Sequence, residues 1–237
     1  MHETSELYKS LWSNPLRRVE TKVDVAGTEY LKAEYPNDGF FYCRIYGGAF
    51  EKPSFGNCAS RTLELKLLPK DTIPRAAKIQ VFVRLTFGEQ ACEWIKKGEF
   101  FISRREKDKR TGILSITAFD AMLKANEVWL NDSYSDLNWP MSQVDAVNDI
   151  ANRMGLEVDS RTVLPTQFPV DYPVDENGDL TMWNVLCYIA SSNAGNWIIT
   201  DEGKLRLVQF GDIPDETNYL VTETGDAITF GGVRILV

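Results

Sequence analysis

Lys78-Ile79-Gln80-Val81-Phe82-Val83-Arg84-Leu85 places Ile79, Val81, Val83 and Leu85 on one side of an extended chain, because successive side chains of a strand point to opposite faces. The spacing predicts a strand half buried on that side. Phe82 falls on the other face, and a large ring on the outside of a strand calls for cover. Working outward, the same period recurs. Residues 18–25 alternate Val19, Thr21, Val23 and Val25 with charged residues and turn at Ala26-Gly27 into a second run, while residues 61–67 align Leu63, Leu65 and Leu67. Residues 40–46, 91–95, 99–104 and 112–118 are further strand candidates, separated by turn signals at 36–39, 53–56, 69–74 and at Lys97-Gly98. Seven or eight short strands with few helices between them predict an antiparallel barrel or sandwich.

Beyond residue 118 the period becomes helical. Residues 120–131 read as a helix closing the β domain, with Met122, Leu123, Val128 and Trp129 toward its inner face. A second helix begins at Ser142, where Asp145 stands three residues on as in a capping box, runs through Val144, Val147, Ala151 and Met154, and stops at Gly155. A third starts at Thr181, carries Met182, Val185, Leu186, Ile189 and Ala190, and stops at Gly195; residues 196–200 and 204–210 then form a hairpin around Asp201-Glu202-Gly203. The fold class expected is therefore α+β: an antiparallel β-barrel-like domain (17–131) followed by a small helix-helix-β-hairpin domain (132–212), with an N-terminal helical segment (1–16) and a C-terminal strand segment (213–237). In the first of these flanking segments Leu7, Tyr8, Leu11 and Trp12 share one face of a helix too short to stand alone. It must dock on its own domain or on a neighbouring subunit.

Composition removes many functions. Of the 237 residues 43% are apolar, so the chain folds, yet none of its apolar runs approaches the roughly 18 residues that span a bilayer, and the opening residues lack the basic start and apolar stretch of a signal peptide. His2 is the sole histidine, which leaves Ser-His-Asp, Cys-His and His-ligated zinc sites without a donor. Glycine-rich phosphate loops are absent. Cys43, Cys58, Cys92 and Cys187 form no C-x-x-C pair and sit among apolar neighbours, as buried free thiols do.

Residues 175–179 offer alternating oxygen ligands, but Leu180 and Leu186 stand where a calcium loop needs its glycine and bidentate glutamate, so a turn into a capped helix is the better reading. Glu89/Glu93 and Asp212/Asp215/Glu216 are acidic neighbours with no cleft to define them, and Trp94, Phe100 and Phe101 read as core or interface rather than as a sugar platform. No cofactor is expected. The run 104–110 interleaves Glu106 and Asp108 among its basic residues, as a solvated hairpin tip does. Charge divides unevenly: residues 1–130 carry a net +4 and residues 131–237 a net −12. The acidic half argues against nonspecific binding to a phosphate backbone.

Several segments together resemble the hub proteins of phage and prophage tail tips, the family that includes the N-terminal hub part of tail-associated lysins and the baseplate hubs of contractile tails. They are Gly48 to Glu51, Ser54 to Ser60, the strand from Leu63 to Leu67, Ile73 to Val81, Glu93 to Ile95, Gly98 to Ile102, Ile116 to Leu123, Trp183 to Leu186, Gly195 to Trp197 and Gly203 to Leu207. The resemblance spans about residues 40 to 210; such hubs continue into further modules, so the apolar end at 231–237 suggests a shortened hub or a final paired strand.

It implies a non-enzymatic virion tail protein, assembled in the bacterial host cytoplasm. A homotrimeric ring would close the tail tube and bind distal tail and other tail-tip proteins, with DNA only as passing cargo and no membrane span. The interface residues expected are Leu7, Tyr8, Leu11, Trp12 and Phe82. Asp145, Asp149, Asp171, Asp175 and Asp179 are expected to face the channel or a basic partner, against the alternative of a solvated outer surface. The rival readings are a carbohydrate-binding or cell-wall-degrading module and the hub of a contractile injection machine.

Overall fold

The computed structural model describes residues 4–48, 54–130, 139–164, 168–171 and 180–209, together with the backbone of 229–230 and 233–234. After helix α1 (Glu6–Trp12) the chain forms β1 (Arg18–Val25), β2 (Thr28–Leu31), β3 (Gly39–Gly47), β4 (Asn57–Ala59), β5 (Arg61–Leu68), β6 (Lys78–Phe87), β7 (Gln90–Ala91), β8 (Ile95–Lys107) and β9 (Leu114–Phe119). All of these except β4 belong to one sheet of order β2-β1-β6-β8-β9-β5-β3, with β7 paired to β6, and every pairing named is antiparallel. The inner face carries the alternating residues foreseen, among them Val23, Leu63, Leu65, Leu67, Ile79 and Val81 around Phe100. The sheet curls until its two edge strands meet. Lys32 and Phe40 form a parallel bridge there, and the Ala33 N–H donates to the Phe40 carbonyl at 3.0 Å. A Cβ on Gly39 would stand 2.6 Å from both Ala33 Cβ and the Leu31 carbonyl, so the missing side chain is what lets the edges approach.

Two local expectations are corrected. The turn expected at Lys97-Gly98 is a bulge inside the single strand β8, where the register against β6 slips between Val81 and Phe82. The closing helix expected over 120–131 is a 3₁₀ helix confined to Ala121–Asn126, capped by the Asp120 side chain, which accepts from the Met122 N–H. It ends early because the chain is drawn into backbone pairing with the segment before the third helix. There the Met182 N–H donates to the Glu127 carbonyl at 3.0 Å and the Trp129 N–H to the Leu180 carbonyl at 3.1 Å.

The rest of the described chain supplies α2 (Gln143–Met154), α3 (Met182–Ser192), β10 (Gly195–Ile199), β11 (Leu205–Gln209) and a short pair, β12 (Thr229–Phe230) with β13 (Val233–Arg234). Both helices start at the predicted caps, Ser142 and Thr181. β10 and β11 pair as the foreseen hairpin, but β10 also takes β4 as a parallel neighbour, with Asn57, Cys58 and Ala59 opposite Asn196, Trp197 and Ile198. A second core forms over this three-stranded sheet. It includes Cys58, Met122 and Trp129 from the first part of the chain with Ile150, Met154, Leu186, Trp197 and Leu207 from the second. Trp197 is fully buried and its indole N–H donates to the Leu186 carbonyl at 2.8 Å, which satisfies its one polar atom.

Candidate functional site

Arg61 follows β4 by two residues, at the point where the chain leaves the second sheet for the first. Its guanidinium donates to Asp201 at 2.5 Å, to the Lys97 carbonyl at 3.2 Å and to the carbonyls of Ile199 and Thr200 at 3.1 and 3.2 Å. One side chain thereby ties β5, the β8 bulge and the β10–β11 turn together. Behind it lies Asp120, fully buried, which accepts from the Arg61 N–H at 2.9 Å, the Ser60 hydroxyl at 3.0 Å and the Met122 N–H at 3.2 Å. Burial raises the Asp120 carboxyl above the ordinary carboxylate value, against the pull of those donors and of Arg61. A cleft of about 460 Å³ opens over this junction, lined by Gly48, Ala59, Arg61, Arg161, Asp201 and Arg206 among others. Its charges hold one another, Arg61 on Asp201 and Arg161 on Asp159 at 2.6 Å. That arrangement fixes strands and turns.

The residues expected at a subunit interface separate into two groups. Leu11 is 3% exposed and packs with Tyr8 against Leu85 and Cys92, so α1 docks on its own β domain. The Ser5 N–H and hydroxyl reinforce the docking by donating to the Glu93 carboxylate at 2.8 and 2.6 Å, and these bonds hold that carboxyl below its ordinary value. Leu7 and Trp12 remain exposed, Trp12 at 57% with Tyr8 stacked 6.1 Å from its ring and Arg17 at 4.7 Å. Sequence reasoning missed Leu16 and Phe87, which are exposed and line one cleft beside Arg18 and Arg84, and it read Val19 as inward although that residue is 62% exposed. Val19 pairs with Leu85, which α1 covers, yet lies beyond the reach of that cover.

Phe82 is half-buried, with Lys22 Nζ 5.2 Å from its ring centre and 5.2 Å from that of Trp94, on which Arg84 also sits at 4.5 Å. Lys22, its partner on the neighbouring strand, lies over it. Phe100 is core, and Phe101 packs on the second core beneath Lys124.

Of the acidic residues expected to face a channel, Asp145 and Asp171 are exposed, whereas Asp149 accepts from the Trp129 indole at 2.6 Å and from Arg153 at 2.6 Å. Asp175 and Asp179, with the rest of the calcium-like stretch, lie outside the described residues, as do Asp212, Asp215 and Glu216. Among the described residues no three His, Cys, Asp or Glu side chains gather as a metal would need, and no helix is long and apolar enough to cross a membrane. The four cysteines are free thiols, and burial pushes the Cys43 thiol up to about 11.

No protein-family model and no curated protein matches the chain. Solved structures do. The 43 kDa tail protein of prophage MuSo2 from Shewanella oneidensis aligns over 90% of this chain at TM-score 0.57 and 10% identity. The tail protein from Neisseria meningitidis MC58 aligns over 89% at TM-score 0.53 and 17% identity. The chain shares the fold of these two tail proteins. Prophage tail protein gp18 from Listeria monocytogenes aligns at TM-score 0.42, too low to bear on the fold. The chain covers 61% of the Shewanella protein and 58% of the Neisseria one, so it spans about six tenths of their length. At these identities the likeness extends to the backbone arrangement, the curled sheet with its helix-bearing companion.

Proposed function

We propose that this chain is a structural hub of a phage or prophage tail tip, without catalytic activity. It assembles as a ring, a trimer, that closes the tail tube, organises the distal tail components and leaves a central channel for DNA. One observation carries the reading: a fold shared over about nine tenths of the chain with two tail proteins, one of them from a prophage. The exposed Trp12, Leu16 and Val19 at one end of the curled sheet supply apolar surface for association with other copies or tail proteins. A stable interface of this kind buries on the order of 1,000 Å² or more.

The test is light scattering coupled to size exclusion at micromolar concentration, followed by imaging of the peak. A trimeric ring is expected, and a clean monomer would remove the ring from the proposal. Incubation with peptidoglycan is expected to release no fragments; sustained turnover abolished by a carboxylate substitution would instead establish a cell-wall-degrading module.

A further inference from the structure

Cys58 in β4 and Cys187 in α3 stand 129 residues apart in sequence, and their sulfurs lie 3.8 Å apart. Both backbones are held from several sides. The Asn57 N–H donates to Asn196 at 3.1 Å and Cys58 is in register with Trp197, while Ser191, one turn beyond Cys187, fits so closely over Gly56 that a Cβ there would come within 2.1 Å of its hydroxyl. A disulfide needs its sulfurs at about 2.05 Å, so the two sulfurs must approach by a little under about 2 Å. We propose that Cys58 and Cys187 are a reversible dithiol–disulfide pair, oxidised by small-molecule disulfides, whose oxidised form staples β4 to α3.

The roles of the two sulfurs differ. Cys187 is half-buried and reachable from solvent, and its side-chain contact with Cys58 lowers its thiol; Cys58 is 2% exposed, and the same contact together with burial raises its own. Cys187 therefore attacks first. Its thiolate displaces one thiolate from the small disulfide and forms a mixed disulfide. Cys58 then loses its proton to solvent and attacks the Cys187 sulfur, expelling the second thiolate. Two protein thiols and one disulfide give one protein disulfide and two small thiols, so electrons and protons balance. The other cysteines are engaged elsewhere: the Cys92 sulfur accepts from the Leu85 N–H at 3.1 Å, and Cys43 lies in β3 against the first core. The chemistry stands independently of the tail role. Within that role, a particle leaving a reducing cytoplasm would pass from the dithiol to the disulfide form.

The experiment treats the full chain with oxidised glutathione at about pH 8, where thiolate is available, then denatures it, alkylates the remaining thiols and maps the peptides. The expected product is lighter by two hydrogens, carries a Cys58–Cys187 cross-link and is alkylated at Cys43 and Cys92. Its melting temperature rises by about 5 °C or more, as closure of a long loop predicts, and dithiothreitol reverses the rise. Cys187→Ser is expected to give neither cross-link nor rise. Four alkylated cysteines, a glutathione adduct on Cys187 that Cys58 never displaces, or a cross-link mapped to another pair would overturn the proposal. An unchanged or lowered melting temperature of the linked protein would overturn the staple. Should Cys187→Ser fail to fold, the mapping of the unmodified sequence decides alone.

Discussion

Removing the Arg61 guanidinium takes one charged donor from Asp201 and from each of the carbonyls of Lys97, Ile199 and Thr200, at a site where the arginine side chain is 18% exposed. Breaking a largely buried pair by deleting one partner costs about 3–5 kcal/mol. Urea unfolding of Arg61→Ala is expected to show a loss of that size. Arg61→Lys is expected to recover only part of it, because a single ammonium does not span the same fork of acceptors. Asp159 gives a pH signature. It accepts from the Arg161 N–H at 3.0 Å and from its guanidinium at 2.8 and 2.6 Å, which holds its carboxyl at about 2 against an ordinary 3.8. The folded form binds that proton more weakly than the unfolded form does. Its contribution is therefore full above pH 3.8 and lost as pH falls through about 2. Arg161 is 42% exposed, so the effect is discounted to about 1 kcal/mol. Asp159→Asn is expected to flatten acid unfolding in that window by this amount, while the buried Asp120, with its carboxyl raised, adds a slope of opposite sign as pH climbs past the ordinary carboxylate value. Neither role was legible beforehand. Arg61 stands at an unremarked polar position of an alternating strand, and its partners come from turns far along the chain.

At the scale of elements, α1 separates packing from association. Leu11→Ala is expected to cost about 2–3 kcal/mol of thermal or urea stability by emptying the contact with Leu85 and Cys92. Trp12→Ala, on the exposed side, is expected to stay within about 0.5 kcal/mol for the single chain and to weaken self-association in light scattering. Gly56 joins β4 to α3 at φ +84° under Ser191. Gly56→Ala is expected to cost about 1–3 kcal/mol, and adding Ser191→Ala to restore only part, since the left-handed backbone still penalises a side chain. The strands with a sustained period, β1, β5 and β6, and the capped helices α2 and α3 were readable because each repeats one physical pattern over many residues. β4 has three residues, too few to display a period, and its parallel pairing is a long-range fact. The β8 bulge and the 3₁₀ helix likewise follow from partners that local patterning does not contain.

For the molecule as a whole, the domain boundary expected near residue 131 falls outside the described residues, while the second core draws on both sides of it. A fragment of residues 1–130 would expose Cys58, Met122, Ala125, Trp129 and Leu130, all buried in the full chain. It is expected to bind a hydrophobic dye and to precipitate at concentrations where the full chain stays in solution. The β4–β10 pairing also has a consequence in time. Asn57 waits for Asn196, 139 residues later, and at a synthesis rate of about 5–20 residues per second that wait is roughly 7–28 seconds. From the end of β9 at Phe119 onward the nascent chain carries a finished curled sheet and an unpaired strand edge beside it, so a ribosome paused before residue 196 holds a sticky intermediate. Synonymous codons between β9 and β10 thereby influence the yield of a protein whose amino-acid sequence they leave unchanged.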